Sequence, residues 1–237
     1  MTLRGQSVVV IGGSSGMGLA VARKASQAGA RVVIASRSAD KLQAAVRGIG
    51  GDVHWQMVDT TDEASVADLF ERLGTVDHLA VPGSSVKTGP LRELPLADAR
   101  FTMQSKFWGP YLCAKHARLN DTGSITFFSG ILSRRPGMND ALLASVNAAV
   151  EAMGRALAKD LAPVRVNVLS PGMTAGTGAY LKIPEAAREA MFASVAGRLP
   201  VGRVGRPEDI ADAVVMLMTN GFITGVVLDV DGGGLIA

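Results

Sequence analysis

The chain contains a single cysteine, Cys113, among 237 residues. That excludes a disulfide framework and any thiolate metal centre, and it suits a reducing compartment. The three histidines, His54, His78 and His116, are scattered without metal-ligand spacing, so no metal site is expected. Aromatic residues are scarce at 5%, with two tyrosines, two tryptophans and seven phenylalanines. A core poor in rings suits Ala/Val/Leu/Gly packing in an α/β protein better than a β-sandwich. No continuous apolar run approaches the ~18 residues of a membrane span, and Met1-Thr-Leu-Arg-Gly-Gln lacks a signal peptide's apolar stretch. Charge of one sign is missing too: 24 basic residues stand against 21 acidic ones, net +3, with no basic run. Nucleic acid and membrane surfaces therefore gain no support as partners. The expectation is a soluble, cytoplasmic globular protein.

What the chain has is glycine, 28 residues of it, well above the ~7% of average usage, together with 48% hydrophobic residues, enough for a large core. Short β-branched runs alternate with helical patterns. Val8 to Ile11, Arg31 to Ala35, Val53 to Val58, His78 to Val81, Ser124 to Phe128, Arg165 to Leu169 and Val226 to Val230 read as strands. Helices are expected up to about Ala28, over Ala39 to Arg47, from Thr61 or Asp62 to Gly74, and over Ala97 to Ala117, Asp140 to Leu161 and Glu185 to Ala196. A last one starts at Pro207. Ser38 reads as an N-cap, Gly29 as the residue closing the first helix, and Pro207 as N1. Strands alternating with helices imply a doubly wound parallel sheet of about seven strands, a Rossmann-type α/β fold in one domain spanning 1–237. Its ligand site belongs beyond the carboxyl ends of the strands.

The first strand runs into Gly12-Gly13-Ser14-Ser15-Gly16-Met17-Gly18 and then a helix. Glycines there let backbone approach a pyrophosphate, and the helix N-terminus faces it with N–H donors. A tight turn without a ligand is the plainer reading of the same residues. The second strand ends in Ser36-Arg37, without the acid that holds ribose hydroxyls in NAD sites. A hydroxyl and a guanidinium suit a 2′-phosphate, so NADP(H) is the expected cofactor; otherwise Arg37 is a solvated helix-start residue. Asp59 is placed to meet the adenine edge, or to cap the turn into the third helix.

These motifs resemble those of the short-chain dehydrogenase/reductase family over essentially the whole chain. Gly12-x3-Gly16-x-Gly18, Val58-Asp59-Thr60-Thr61-Asp62, Arg165-Val-Asn-Val-Leu-Ser-Pro171-Gly172, Gly202-Arg-Val-Gly-Arg-Pro-Glu-Asp209 and Thr224-Gly225 through Val230-Asp231-Gly232-Gly233 carry the likeness. The resemblance implies a Rossmann-type fold, NADP(H) binding with Pro171, Gly172 and Thr174 beside the nicotinamide, and a homodimer or homotetramer built on the two long helices. It also implies a Tyr acid/base, a Lys four residues later, a Ser about thirteen residues before the Tyr, and an Asn on the preceding long helix. Registered on Ala148-Ala-Val-Glu-Ala, Leu143 holds the Tyr place, Asn147 the Lys place and Gly130 the Ser place, with Ser129 beside it. Anchored on Gly109, Lys106 holds the Asn place, or Ser105 if the register slips by one.

Leucine donates no proton and asparagine supplies no cation, and losing general acid/base help costs roughly 10²–10⁴-fold in rate. Lys106, Ser129 and Asn147 are the polar groups expected to converge near the nicotinamide; alternatively Lys106 lies on the exposed side of its helix. Tyr180 falls in the irregular stretch Pro171 to Pro184, where a substrate lid belongs. Tyr111, Cys113 and His116 read as packing or structural residues. Two functional readings remain. One is an NADPH-dependent oxidoreductase with a rewired site acting on a small carbonyl or activated double bond. The other is a non-catalytic NADP(H)-binding sensor or partner subunit. A non-redox enzyme keeping the cofactor as a scaffold stands behind both.

Overall fold

Each short apolar run forms a strand: β1 (Ser7–Ile11), β2 (Arg31–Ser36), β3 (Val53–Met57), β4 (Thr75–Val81), β5 (Arg118–Phe128), β6 (Arg165–Pro171) and β7 (Val227–Val230). The structure, a computed structural model, describes residues 2–178 and 180–237. The strands pair in parallel in the order β3-β2-β1-β4-β5-β6-β7. Between them run α1 (Gly16–Gln27), α2 (Ala39–Ile49), α3 (Glu63–Leu73), α4 (Leu96–Met103), α5 (Gly109–His116), α6 (Ala141–Asp160), α7 (Glu185–Ala196) and α8 (Pro207–Thr219). Because successive side chains on a strand point to opposite faces, β1 divides its valines between two cores. Val8 and Val10 pack with Val21, Leu42 and Val214 under α1, α2 and α8. Val9 and Ile11 pack with Phe70, Cys113 and Val150 under α3, α5 and α6. Strands buried on both faces explain why the runs read as continuous apolar stretches rather than alternating ones.

Local signals set most boundaries. Ser38 Oγ accepts from Lys41 N at 3.5 Å, and the Asp62 carboxylate accepts from Ala64 N at 3.1 Å, so Asp62 and not Thr61 caps α3. Gly29 takes φ +92° just past α1, a left-handed conformation that a side chain disfavours.

Two expectations are corrected, the extent of β4 and β5 and the continuity of the long helix before β5. The strand placed at Ser124 starts at Arg118 and the one placed at His78 starts at Thr75; the two pair from Thr75↔Arg118, with an irregularity between Val76 and His78. Asn120 Nδ2 donates to the Asp77 carboxylate at 2.6 Å across this bulge, so turn-like residues sit inside a continuous strand. The helix expected over Ala97 to Ala117 is interrupted by a π turn, Gln104–Trp108, just before Gly109-Pro110. Proline removes a backbone donor and crowds the preceding turn, and a π turn absorbs the extra residue. Helix α6 is long and apolar enough to cross a membrane by length and composition alone. One face of it packs into the core, with Val146, Val150 and Gly154 buried and Gly154 set closely on Val168.

Candidate active site

The sheet's order reverses between β1 and β4, which leaves a crevice beyond their carboxyl ends. Glycine makes the crevice possible. A Cβ on Gly18 would collide with the Gly12 carbonyl, and one on Gly83, just past β4, would stand 2.8 Å from Gly12 Cα. The loop between β1 and α1 is therefore drawn tight against both neighbours. The N-terminus of α1 has no side-chain cap and no acid in its first turn, so its free N–H groups and positive dipole end face the crevice.

The crevice is a cavity of about 790 Å³ walled by Gly12, Ser14, Ser15, Gly16, Met17 and Gly18 on one side and by Ser36 at the end of β2 with Arg37 and Lys41 just past it. Asp59, Thr60, Gly83 and Ser85 close it from the β3 and β4 ends. Ser36 Oγ donates to Ser14 Oγ at 3.2 Å, and Arg37 Nη2 reaches Ser85 Oγ at 3.0 Å across the mouth. Asp59 lines the cavity but also holds its own turn, accepting from Thr61 N at 3.0 Å and Thr61 Oγ1 at 2.8 Å. The Thr61 N–H is the main reason its carboxyl titrates below the ordinary range, with Thr61 Oγ1 and the Arg37 charge adding to it. The fit to a dinucleotide bearing a 2′-phosphate is good: a glycine cradle no Cβ can enter, an uncapped helix end, and a guanidinium, an ammonium and two hydroxyls where the phosphate belongs.

Pro171, Gly172 and Thr174 do not wall this cavity. Gly172 is pressed against Asp231, where a Cβ would lie 2.7 Å from Asp231 Cα, and Thr174 Oγ1 donates to Gly172 O at 3.1 Å. The end of β6 is thus shaped first by its packing against the end of β7.

Lys106, Ser129 and Asn147 meet at the carboxyl end of β5, deeper than the cavity wall. The π turn carries Lys106 inward to 9% exposure, which excludes the solvated-face reading. Its Nζ donates to Phe128 O at 3.4 Å and Ser129 O at 3.3 Å. No carboxylate lies within 4 Å of that Nζ among the described residues, and burial alone pulls the amine down to about 8. Ser105, its neighbour, is committed elsewhere: its Oγ accepts from Ser85 N at 2.7 Å. Asn147 is buried beside Gly130, whose Cβ position would lie 3.1 Å from Asn147 Nδ2. Its Oδ1 has no donor among the described residues.

Two participants escaped the sequence reading. Glu151, buried on α6, accepts from Ser129 Oγ at 3.0 Å and Ser133 Oγ at 2.6 Å. Arg134 approaches it at 3.8 Å while pairing with Asp229. An acid four residues after Asn147 on an otherwise apolar helix face was the available signal. Tyr180 packs edge-to-face on Phe192 of α7 at 5.4 Å, and burial raises its phenol's pKa.

A family model described as enoyl-(acyl carrier protein) reductase matches residues 11–234. The short-chain dehydrogenase/reductase ATR9 of Stachybotrys chlorohalonatus is 34% identical over 99% of each chain. The chain belongs to the short-chain dehydrogenase/reductase family. Solved members of the family share its architecture. A small-chain dehydrogenase in complex with NADPH is 38% identical, over 98% of this chain and 99% of that one, with a TM-score of 0.83. An NADPH-bound short-chain oxidoreductase of Pseudomonas aeruginosa, described as containing an atypical catalytic center, is 26% identical over 98% and 97% of the two chains, with a TM-score of 0.90. The short-chain dehydrogenase/reductase fold thus accounts for the parallel sheet, the glycine cradle and the position of the crevice together.

Proposed function

We propose that the protein is an NADPH-dependent oxidoreductase that reduces a small carbonyl or activated double bond, with the Lys106 ammonium as proton donor. Leu143 and Asn147 stand where the family's Tyr and Lys are expected, so a different acid is required. The observation that carries the reading is Lys106 itself: a buried amine, held by two backbone carbonyls at the end of a central strand, with its pKa drawn down to about 8. Such a group gives up a proton near neutral pH far more readily than an exposed lysine. Ser129 donates its one hydroxyl proton to Glu151, so its oxygen is left as an acceptor and is not the acid. Asn147 Oδ1 supplies a further unsatisfied acceptor for a substrate or water hydrogen. When bound, NADPH supplies the hydride; the chain's part is to hold the acceptor, exclude water and deliver the proton.

The assay is loss of reduced nicotinamide with NADPH and a carbonyl panel. Turnover is expected to fall as pH rises through about 8, where Lys106 loses its proton. The Lys106→Ala/Ser129→Ala double variant is expected to lose about 10²–10⁴-fold. Turnover no greater than that of the double variant across the panel would sink the reading.

We also infer a homodimer or homotetramer assembled on the long helices. The support is an open, small-residue side of α6 (Ala141, Ser145, Ala148 and Ala152), and the exposed aromatics Trp108 (45%) and Tyr111 (40%) on the π turn and α5. Trp108→Glu is expected to lower the mass measured by sedimentation; an unchanged mass counts against this surface.

A further inference from the structure

Cations are few and unevenly placed around the dinucleotide cavity. Arg37 and Lys41 stand beyond β2, and among the described residues that wall the cavity the only other cation is Lys182, in the segment between β6 and α7. NADP(H) brings two separate anionic groups. Arg37, Lys41 and Ser36 answer the 2′-phosphate. The diphosphate belongs over Gly12–Gly18, where α1 offers backbone N–H groups and a dipole but no cationic side chain in its first turn.

The segment carrying Lys182 lies over that same loop. A Cβ on Gly16 would lie 3.5 Å from Gly176 O and 3.6 Å from Thr177 Cα. Its base is pinned: Ala175 N donates to Gly205 O at 2.9 Å, and Gly205 N to Met173 O at 2.9 Å. Two successive turns follow, with Tyr180 N donating to Thr177 O and Ile183 N to Tyr180 O, each at 3.1 Å. The Tyr180 ring, braced on Phe192, anchors these turns to α7. Lys182 emerges from them exposed and on the cavity wall. The nearby acid, Glu185, is turned to Arg188 at 3.9 Å.

We propose that Lys182 binds the cofactor's diphosphate from across the cleft, so that dinucleotide binding ties residues 176–178 and 180–183 to the glycine loop. The assignment rests on the dinucleotide reading of the cavity and adds to it a residue and a linkage. A lysine–phosphate contact is charge-assisted, and its solvent exposure trims the effect to about 5–20-fold in Kd.

Titration calorimetry on the full chain with three probes tests it: NADPH, ADP-ribose (diphosphate without 2′-phosphate) and adenosine 2′-monophosphate (2′-phosphate without diphosphate). Lys182→Ala is expected to weaken NADPH and ADP-ribose by the same 5–20-fold and to leave adenosine 2′-monophosphate unchanged, and Lys182→Arg to restore most of the loss. Arg37→Ala is expected to show the complementary pattern, weakening NADPH and adenosine 2′-monophosphate but not ADP-ribose. Hydrogen exchange should show residues 176–178 and 180–183 protected by saturating NADPH in the parent and much less in Lys182→Ala. Parental affinity for NADPH in Lys182→Ala and Lys182→Glu overturns the proposal, as does a loss confined to 2′-phosphate ligands. If the parent itself binds neither NADPH nor ADP-ribose, the dinucleotide reading falls first and the assignment of Lys182 falls with it.

Discussion

Lys106 is costly to keep where it is. Its amine titrates near 8 instead of 10.5 because burial penalises the charged form, and the two carbonyls it reaches are weak compensation at 3.3 and 3.4 Å. Below pH 8 both folded and unfolded chains carry the proton, so the burial penalty is felt in full. Between 8 and 10.5 the folded chain has shed the proton that the unfolded chain retains, so this group's contribution to stability rises with pH. The drop from 10.5 to about 8 corresponds to about 3 kcal/mol. Lys106→Met keeps the stem's volume and removes the charge, at the expense of two long hydrogen bonds. It is therefore expected to raise stability at pH 7 by about 1–3 kcal/mol, with the advantage shrinking as pH climbs towards 10. Thermal unfolding of both proteins at pH 7 and 9.5 measures this, and a Met variant less stable than the parent at pH 7 contradicts it. Stability gained where activity is lost is the signature of a residue retained for chemistry rather than for the fold.

At the level of elements, a second buried cation does the opposite. Arg165, at the start of β6, spreads its guanidinium over the carbonyl end of α8. It donates to Leu217 O at 2.6 Å, Met218 O at 2.7 Å and Asn220 O at 3.0 Å, with Ile223 O in the following loop at 3.4 Å. These are the carbonyls a helix leaves unpaired at the negative end of its dipole. Arg165→Met orphans them and is expected to cost about 2–4 kcal/mol, or about 5–15 °C in Tm for a chain of this size. Arg165→Lys retains charge without the fork and is expected to fall between; a Met variant melting with the parent would refute the cap. None of this was legible in the sequence, where Arg165 reads only as the first residue of a strand, because its partners lie 52 to 58 residues away. The same holds for the π turn. Helical periodicity runs straight through Gln104–Trp108, and only the fold reveals that one extra residue turns Lys106 inward. What was legible was local: the Ser38 cap, Pro207 at N1, Gly29 past α1, and the glycine loop, each of which acts within a few residues of itself.

For the molecule as a whole, the cofactor cavity is also where the two halves of the sheet are joined. The loop after β1 is packed on Gly83 beyond β4, and the 176–178 backbone from beyond β6 lies over Gly16. A ligand seated there touches chain segments from both sides of the β1–β4 switch point, and so binds the folded state and not the unfolded one. Its stabilisation is then fixed by mass action, about 2.7 kcal/mol at a concentration 100 times Kd. At roughly 2–4 °C per kcal/mol for a domain of this length, NADPH at that excess is expected to raise Tm by about 5–10 °C. NADH at the same concentration, lacking the phosphate for Arg37 and Lys41, is expected to raise it much less. Arg37→Ala should bring the two shifts together, whereas Arg165→Lys, far from the cavity, should lower both melting curves and leave the NADPH increment intact. Equal shifts for NADPH and NADH in the parent would show that the Ser36-Arg37 end of β2 does not read the 2′-phosphate. No shift with either would remove the cavity from consideration as a dinucleotide site.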